Sequence, residues 1–195
     1  MNFKFTKNNK IMKYTLIIII VLQIVSCQKD NPKKTVSKKP VKQTKIISED
    51  IKKIKTDKNF NASEYQYENI SIKLPENFKR KESNLFFQEN GTNLSIKKDY
   101  TNTSLDKYIK ENYKKLKSEF SNTIKEEEEV NINNQLFKRV KYVIDRKKYL
   151  IQIESILIKK DNTIYIVNIS GKKKHIDSLT QTINNIFSTI TIEGN

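Results

Sequence analysis

The segment from residue 135 to residue 170, QLFKRVKYVIDRKKYLIQIESILIKKDNTIYIVNIS, decides the fold. Apolar and polar residues alternate along it with a period of two, which is typical of β-strands that bury one face. Two short polar breaks, at 145–147 and at 161–162, divide the segment into three strands. Connections this short join only antiparallel neighbours, so the pattern predicts a β-meander.

Working outward, the same alternation predicts strands at 123–131, 135–144, 148–159 and 163–171. The residues that we expect to line one buried face of the second and third of these strands are Leu136, Val140, Tyr142, Ile144, Tyr149, Ile151, Ile153 and Leu157. Upstream, Ile70, Ile72 and Leu74 predict an earlier strand that ends at Pro75. Strands at 85–88 and 93–98 are expected to form a hairpin around Gly91, which tolerates positive φ.

Two segments change to a helical period. From Ser104 to Phe120 the apolar residues recur three and four positions apart, and Ser104 is suited to cap the helix. From His175 to Ser188 a second apolar stripe predicts the last helix. A helix that is apolar on one side needs a sheet to cover. The sequence therefore predicts an α+β domain at 61–195, in which an antiparallel sheet of about six to seven strands is flanked by two main helices.

The chain begins with a lysine-rich segment, and an apolar run from Thr15 to Val25 follows. These eleven residues are too few to span a bilayer. The pattern predicts a secretory signal peptide at 1–26, and a start at Met12 would leave an equally complete signal peptide as a start at Met1.

The tetrad Ile24-Val25-Ser26-Cys27 resembles the lipobox of bacterial lipoproteins. This resemblance implies that cleavage falls between Ser26 and Cys27, and that the Cys27 thiol, the only one in the chain, carries the lipid. The membrane would then be a partner through this lipid. Since Cys27 is followed by QKDN, which resembles an export signal of Bacteroidetes lipoproteins, we expect an anchor in the outer membrane of such a bacterium, on the periplasmic face or at the cell surface.

The segment at 27–60 is rich in lysine and poor in large apolar side chains. Such a composition cannot bury enough surface to offset the entropy cost of ordering, so we expect a disordered linker after the lipidated cysteine. Residues 1–58 carry 15 of the 38 Lys and Arg residues but only four of the 22 acids. Most of the net charge of +16 therefore lies outside the predicted domain, and no nucleic-acid partner is expected.

The order of strand, hairpin, helix, four-stranded meander and terminal helix resembles that of the PsbP-like family. The segments ISIKLPENF at 70–78 and SLDKYIKENYKKLK at 104–117 carry the resemblance. The family includes an extrinsic lumenal subunit of photosystem II and the bacterial DcrB lipoproteins. The resemblance implies a non-enzymatic binding or assembly domain that contacts another envelope component. The metal-linked role of the plant proteins is not carried over, because no matching cluster of histidines is present.

No motif in the chain points to catalysis or to a cofactor. The only histidine, His175, is expected to be a solvated residue at a helix start. The four carboxylates at 126–129 alternate between the two faces of a predicted strand, which indicates a charged edge strand and not a metal site. The alternative is a hydrolase or carbohydrate-active lipoprotein with a site built from carboxylates and tyrosines.

Three basic runs fall at predicted turns. If these runs converge at one end of the sheet, they would bind an anionic partner. The residues of these runs are Lys79, Arg80, Lys81, Arg146, Lys147, Lys148, Lys172, Lys173 and Lys174.

Overall fold

The structure, a computed structural model, describes residues 52–54, 57 and 59–193. The predicted signal peptide, with its two candidate starts Met1 and Met12, lies outside the described residues. So do Ser26, Cys27 and most of the linker at 27–60. The assignments made for them above stay predictions.

The described chain contains eleven strands and three helices. The strands are β1 (Lys52–Lys53), β2 (Ser63–Tyr67), β3 (Ile70–Leu74), β4 (Lys79–Glu82), β5 (Leu85–Phe87), β6 (Asn93–Tyr100), β7 (Thr123–Ile132), β8 (Gln135–Asp145), β9 (Leu150–Lys160), β10 (Thr163–Lys172) and β11 (Thr191–Ile192). The helices are α1 (Leu105–Glu119), α2 (Lys173–Ser178) and α3 (Thr180–Ser188). The predicted α+β class is confirmed.

Eight strands form one sheet in the order β1-β7-β8-β9-β10-β6-β5-β4. All neighbours are antiparallel except β1, which runs parallel to β7. The predicted meander is its centre. The first predicted strand, β3, lies instead in a separate three-stranded sheet between β2 and β11. Because β2 is largely polar and β11 has two residues, neither carries an alternation long enough to be recognised.

The central strands bury side chains on both faces of the large sheet. On one face, Tyr113 of α1 stacks on Tyr142 of β8, with 6.3 Å between the ring centroids. On the other face, Phe137 belongs to a cluster with Ile183 and Phe187 of α3. Helices and the small sheet therefore cover two opposite faces, and the main core lies between the large sheet and the layer formed by α2, α3 and the small sheet.

Two residues predicted to be buried are exposed. Leu136 is 47% exposed and Tyr149 is 42% exposed, whereas Phe137, which follows Leu136, is 2% exposed and lies in the core. Leu136 lies one residue after the start of β8, and Tyr149 lies in the turn before β9. Alternation assigns residues to faces, but it does not show where a covering helix ends.

The last predicted helix is divided at Leu179 into α2 and α3. The hydroxyls of Ser178 and Thr180 donate to the carbonyls of His175 and Asp177. Side-chain bonds of this kind compete with regular helix hydrogen bonding. The predicted cap of α1 is confirmed, since Ser104 accepts a hydrogen bond from the backbone N–H of Lys107 at 3.3 Å.

Two local features bear on the predicted boundaries. Gly91 has a φ of 85°, as the hairpin required. At the other end of the sheet order, Lys52 and Lys53 pair with Val130 and Asn131 although they were assigned to the linker. The ordered chain thus includes residues upstream of position 61, because the backbone of β7 offers an unpaired edge to them.

Truncating each of two adjacent side chains of β8 to alanine tests which face of the sheet each side chain occupies. Phe137→Ala should lower the free energy of unfolding by about 3–5 kcal/mol, because it leaves a cavity in the core. Leu136→Ala should change it by less than about 0.5 kcal/mol, as expected at an exposed position. Urea unfolding monitored by circular dichroism measures both values. Equal losses for the two variants would contradict the orientation of β8.

Candidate functional site

A polar cleft of about 400 Å³ lies beside the β7–β8–β9 part of the large sheet and below α2 and α3. We call it the polar cleft. The sheet supplies residues from the four neighbouring strands β1, β7, β8 and β9, and the two helices supply one wall. The lining residues that carry the argument below are Glu126, Glu128, Arg139, Lys141, Gln152, Glu154 and Asn184.

Strand register brings these side chains together. Arg139 of β8 lies opposite Glu128 of β7, and Lys141 lies opposite both Glu126 of β7 and Glu154 of β9. Directly opposed residues share a face of the sheet, so acids and bases alternate across three strands. The predicted separation of the carboxylates at 126–129 onto two faces follows from the same register.

Arg139 is the centre of the cleft. Its Nη2 donates to Glu154 Oε2 at 2.5 Å, and its Nη1 donates to Asn184 Oδ1 at 3.0 Å. Its guanidinium also lies over the ring of Phe187, 5.7 Å from the centroid. Both members of the Arg139–Glu154 pair are nearly removed from solvent. A buried charge of this kind is tolerated only with a partner, and here each charge has one.

Gln152 leaves one hydrogen-bonding atom unused at the cleft. Its side chain is almost fully buried, at 2% exposure, and Nε2 donates to Glu154 Oε1 at 2.7 Å. No donor from the described part of the chain reaches Oε1. An acceptor that is removed from water without a partner costs about 1–3 kcal/mol, and a donor from outside the described residues would relieve this cost.

The ion pairs at the rim are longer than the central one. Lys141 Nζ lies 3.2 Å from Glu126 Oε2, and Lys52 Nζ lies 3.6 Å from Glu128 Oε2. The other oxygen of the same carboxylate, Glu128 Oε1, lies 3.5 Å from Arg139 Nη1. A carboxylate offers about four acceptor positions, so these long contacts leave acceptor capacity at the rim.

An apolar strip borders the cleft at the Thr123 end of β7. Val143 lies opposite both Ile124 and Gln152, which places it in the row next to Lys141 and Glu154. Ile124 is 61% exposed, and Leu150 at the start of β9 is 41% exposed. We call Ile124, Val143 and Leu150 the apolar shelf. Exposed apolar side chains beside a polar concavity are a feature of binding surfaces.

The opposite face of the sheet carries polar groups that are already paired. The Tyr108 hydroxyl donates to Asp99, which also accepts from Lys97 at 3.0 Å. Burial raises the pKa of Tyr108 above its usual range, and the bond to Asp99 raises it further. Burial likewise raises the pKa of Tyr142. These groups lie under α1, so we assign them to structure.

A second charged group lies at the edge of that face. Lys138 Nζ lies 2.9 Å from Glu129 Oε1, and this hydrogen bond raises the pKa of Lys138 above its usual value. Its other acidic neighbours are Glu127 and Asp106, at 3.7 and 3.4 Å. The lysine links β7 and β8 to the first turn of α1.

The structure brings together two of the three basic runs. The run Arg146–Lys148 forms the turn between β8 and β9, and Lys172 pairs with Ile151 at the same end of the sheet. Lys172 Nζ lies 5.8 Å from the centroid of the Tyr149 ring. The run Lys79–Lys81 lies in β4, three strands from β10, which corresponds to about 14 Å at ordinary strand spacing.

The structure also places His175 and bears on metal binding and membrane spanning by the described residues. His175 lies in α2, half-buried, and none of the described residues bonds to its Nδ1, so it is less solvated than expected. Across the described residues, no three His, Cys, Asp or Glu side chains lie where they would hold a metal ion. The helices of that same part of the chain are each too short or too polar to cross a membrane.

The pattern of apolar residues did not single out Arg139, Gln152, Glu154 or Asn184. One signal was present in β9, where Ile153 and Leu157 occupy one face while Ile156 and Ile158 occupy the other. A strand that is apolar on both faces buries its polar residues too, so Gln152 and Glu154 had to have partners.

Comparisons with known proteins bear on the fold. No protein-family model and no curated protein matches the amino-acid sequence. The fold is similar to that of a Pseudomonas aeruginosa protein of unknown function described as a putative regulator, with a TM-score of 0.52, 10% identity, and coverage of 69% of this chain and 99% of that one. At this identity the likeness concerns the fold alone.

Two more distant structures are also similar. Cyanobacterial PsbP (CyanoP) from Synechocystis has a TM-score of 0.47 and 11% identity, over 67% of this chain and 92% of that one. LpqN, which is involved in cell envelope biogenesis of Mycobacterium tuberculosis, has a TM-score of 0.46 and 9% identity, over 70% of this chain and 88% of that one. Membership of the PsbP-like family stays a prediction from the sequence.

A double-mutant cycle tests the central pair. Arg139→Met and Glu154→Leu should each cost about 3–5 kcal/mol of unfolding free energy, because each leaves the other charge buried without its partner. The double variant should cost far less than the two single costs together. Urea unfolding gives the coupling energy, and simple additivity would show that the two side chains do not depend on each other.

Proposed function

We propose that this chain is a lipid-anchored, non-enzymatic protein of the bacterial cell envelope, whose α+β domain binds another envelope protein. The observation that carries the proposal is the polar cleft, a concave site in which one buried acceptor, Gln152 Oε1, is left for a ligand. Pockets with a few fixed polar groups and apolar surroundings are typical of recognition sites.

The chemistry of the cleft favours binding over reaction. A hydrolytic site needs a nucleophile and a base in hydrogen-bond reach of each other. The cleft instead presents amides and ion pairs, and its arginine is held by Glu154 and Asn184 in one orientation. Groups fixed in this way orient a polar ligand and give specificity.

The lipobox-like tetrad supports the anchoring part of the proposal. Each CH₂ group buried in the bilayer contributes about 0.8 kcal/mol, so one acyl chain anchors marginally while two or more anchor stably. A tether confines the domain to the membrane surface, which raises its effective concentration toward a partner in the same envelope. Weak contacts in the cleft would then suffice.

Replacing the predicted lipidation site tests the anchor. Cys27→Ala should abolish incorporation of labelled palmitate and release the protein from the membrane fraction, because no thiol is left to acylate. Ser26→Ala is the matched control and should keep both, since alanine is also small. Metabolic labelling and fractionation of the producing bacterium give the answer. An unchanged membrane fraction for Cys27→Ala would contradict lipid anchoring.

Cross-linking in intact cells tests the binding role of the cleft. A photo-reactive residue at Leu150, on the apolar shelf, should capture one envelope protein, identified by mass spectrometry. The same residue at Tyr100, exposed at the far end of β6, is the control and should not capture it. Indistinguishable capture at both positions, or none at Leu150, would contradict a partner at the cleft.

A further inference from the structure

We infer that the polar cleft binds a basic side chain, arginine or lysine, that the partner protein presents next to an apolar residue. The inference rests on the proposed function and names the chemistry of the partner. It follows from the charge of the cleft, from the unused acceptor of Gln152 and from the position of the apolar shelf.

The charge of the cleft is opposite in sign to that of the chain. Four acidic and three basic side chains face it, because Glu127 points to the opposite face of the sheet, so its net charge is −1, whereas the whole chain carries +16. A concave site with walls of low polarizability focuses such a field. A cation is therefore attracted to the cleft although the chain as a whole is basic.

Gln152 supplies an argument that is independent of charge. Its Oε1 accepts and cannot donate, and donors from the described residues do not reach it. A guanidinium brings five N–H donors and an ammonium brings three, and neither has an acceptor that would conflict with Oε1. A basic group therefore meets both requirements: it donates the hydrogen bond that Oε1 lacks, and the negative charge of the cleft attracts it.

The rim can accept such a group without breaking the central pair. Glu126 and Glu128 lie two residues apart on one face of β7, about 7 Å at the rise of a strand. Their contacts to Lys141 and Lys52 measure 3.2 and 3.6 Å. An incoming cation shares these carboxylates with the two lysines, while Arg139 and Glu154 keep their bond.

An anionic ligand fits less well. Arg139, the deepest cation, donates to Glu154 and Asn184 and lies 3.5 Å from Glu128. An anion would therefore have to displace a carboxylate from Arg139 and pass the acids at the rim. Both steps cost free energy, whereas a basic group is attracted by the acids of the rim and leaves the Arg139–Glu154 bond in place.

The apolar shelf indicates that the partner carries an apolar residue next to its basic residue. Ile124 lies in one row with Val143 and Gln152, Leu150 lies in the next row, and both Ile124 and Leu150 are exposed. An apolar side chain adjacent to the basic one would cover them and exclude water from the ion pairs. Excluding water strengthens the charge interaction at the centre of an interface.

The probe for the test is the blocked dipeptide acetyl-Leu-Arg-amide, and its matched control contains citrulline, which is neutral and has nearly the same shape. The full-length protein is labelled with ¹⁵N and titrated in detergent. The arginine probe should shift the side-chain NH₂ signals of Gln152 in a saturable way. The citrulline probe should bind about tenfold or more weakly than the arginine probe, because it lacks the charge. Added salt should lower the affinity of the arginine probe only.

Variants locate the binding. Glu126→Gln and Glu128→Gln should each weaken binding of the arginine probe several-fold. Glu111→Gln on α1 alters net charge by the same amount at an exposed site and should leave affinity unchanged. Gln152→Met should weaken both probes, because the acceptor is lost. Since this variant lacks the reporter NH₂ group, its binding is followed through the backbone amide signals of β7 to β9, and its free spectrum verifies the fold.

Three results would overturn the inference: no saturable shift with the arginine probe, equal affinity for the citrulline probe, or equal weakening by Glu111→Gln and Glu128→Gln. Failure here is distinguishable from failure of the proposed function. If capture from Leu150 persists while the arginine probe does not bind, the partner binds at the cleft through a different kind of side chain. The inference of a basic side chain is then wrong, while the proposed function stands.

Discussion

Strands β8, β9 and β10 bury apolar side chains on both faces, and the rest of the domain depends on this constraint. An exposed face would leave Tyr142, Ile153 and Ile164 in water, so α1 must cover it. The opposite face needs a second layer, which α2, α3 and the small sheet provide. That layer packs on β6, β9 and β10 and on the end of β7 and β8 that carries Val130, Ile132 and Phe137. The part of the face around Glu126, Glu128 and Lys141 stays open. The polar cleft is this open part.

The Arg139–Glu154 pair joins the cleft to the fold. Glu154 lies in a strand whose other residues on the same face are mostly apolar, and its burial is tolerated because Arg139 and Gln152 both donate to it. Arg139 in turn contacts Asn184 and Phe187 of α3. The same bonds therefore hold α3 on the sheet and hold the binding groups in place, so the site is as rigid as the core beside it.

Local patterns were sufficient for the elements that local physics controls. The meander follows from alternation, α1 from its periodicity and the Ser104 cap, and the hairpin from Gly91. The small sheet was not predictable in this way, because β3 and β11 are joined only by pairing across more than a hundred residues of sequence. The cleft also depends on register between strands. A one-residue shift would place Arg139 on the other face, so no single segment contains the site.

Charge and hydrogen bonding contribute differently to recognition in the cleft. The excess of carboxylates selects the sign of the ligand, and this selection weakens as salt screens the exposed acids of the rim. The buried Oε1 of Gln152 acts at short range and is insensitive to salt, since its bond forms away from water. A ligand that lacks a donor leaves this acceptor unpaired, and buried polar groups discriminate far more strongly against a missing hydrogen bond than apolar pockets do against a missing methylene. Long-range attraction by the rim and short-range selection by Gln152 therefore act in sequence on the same group.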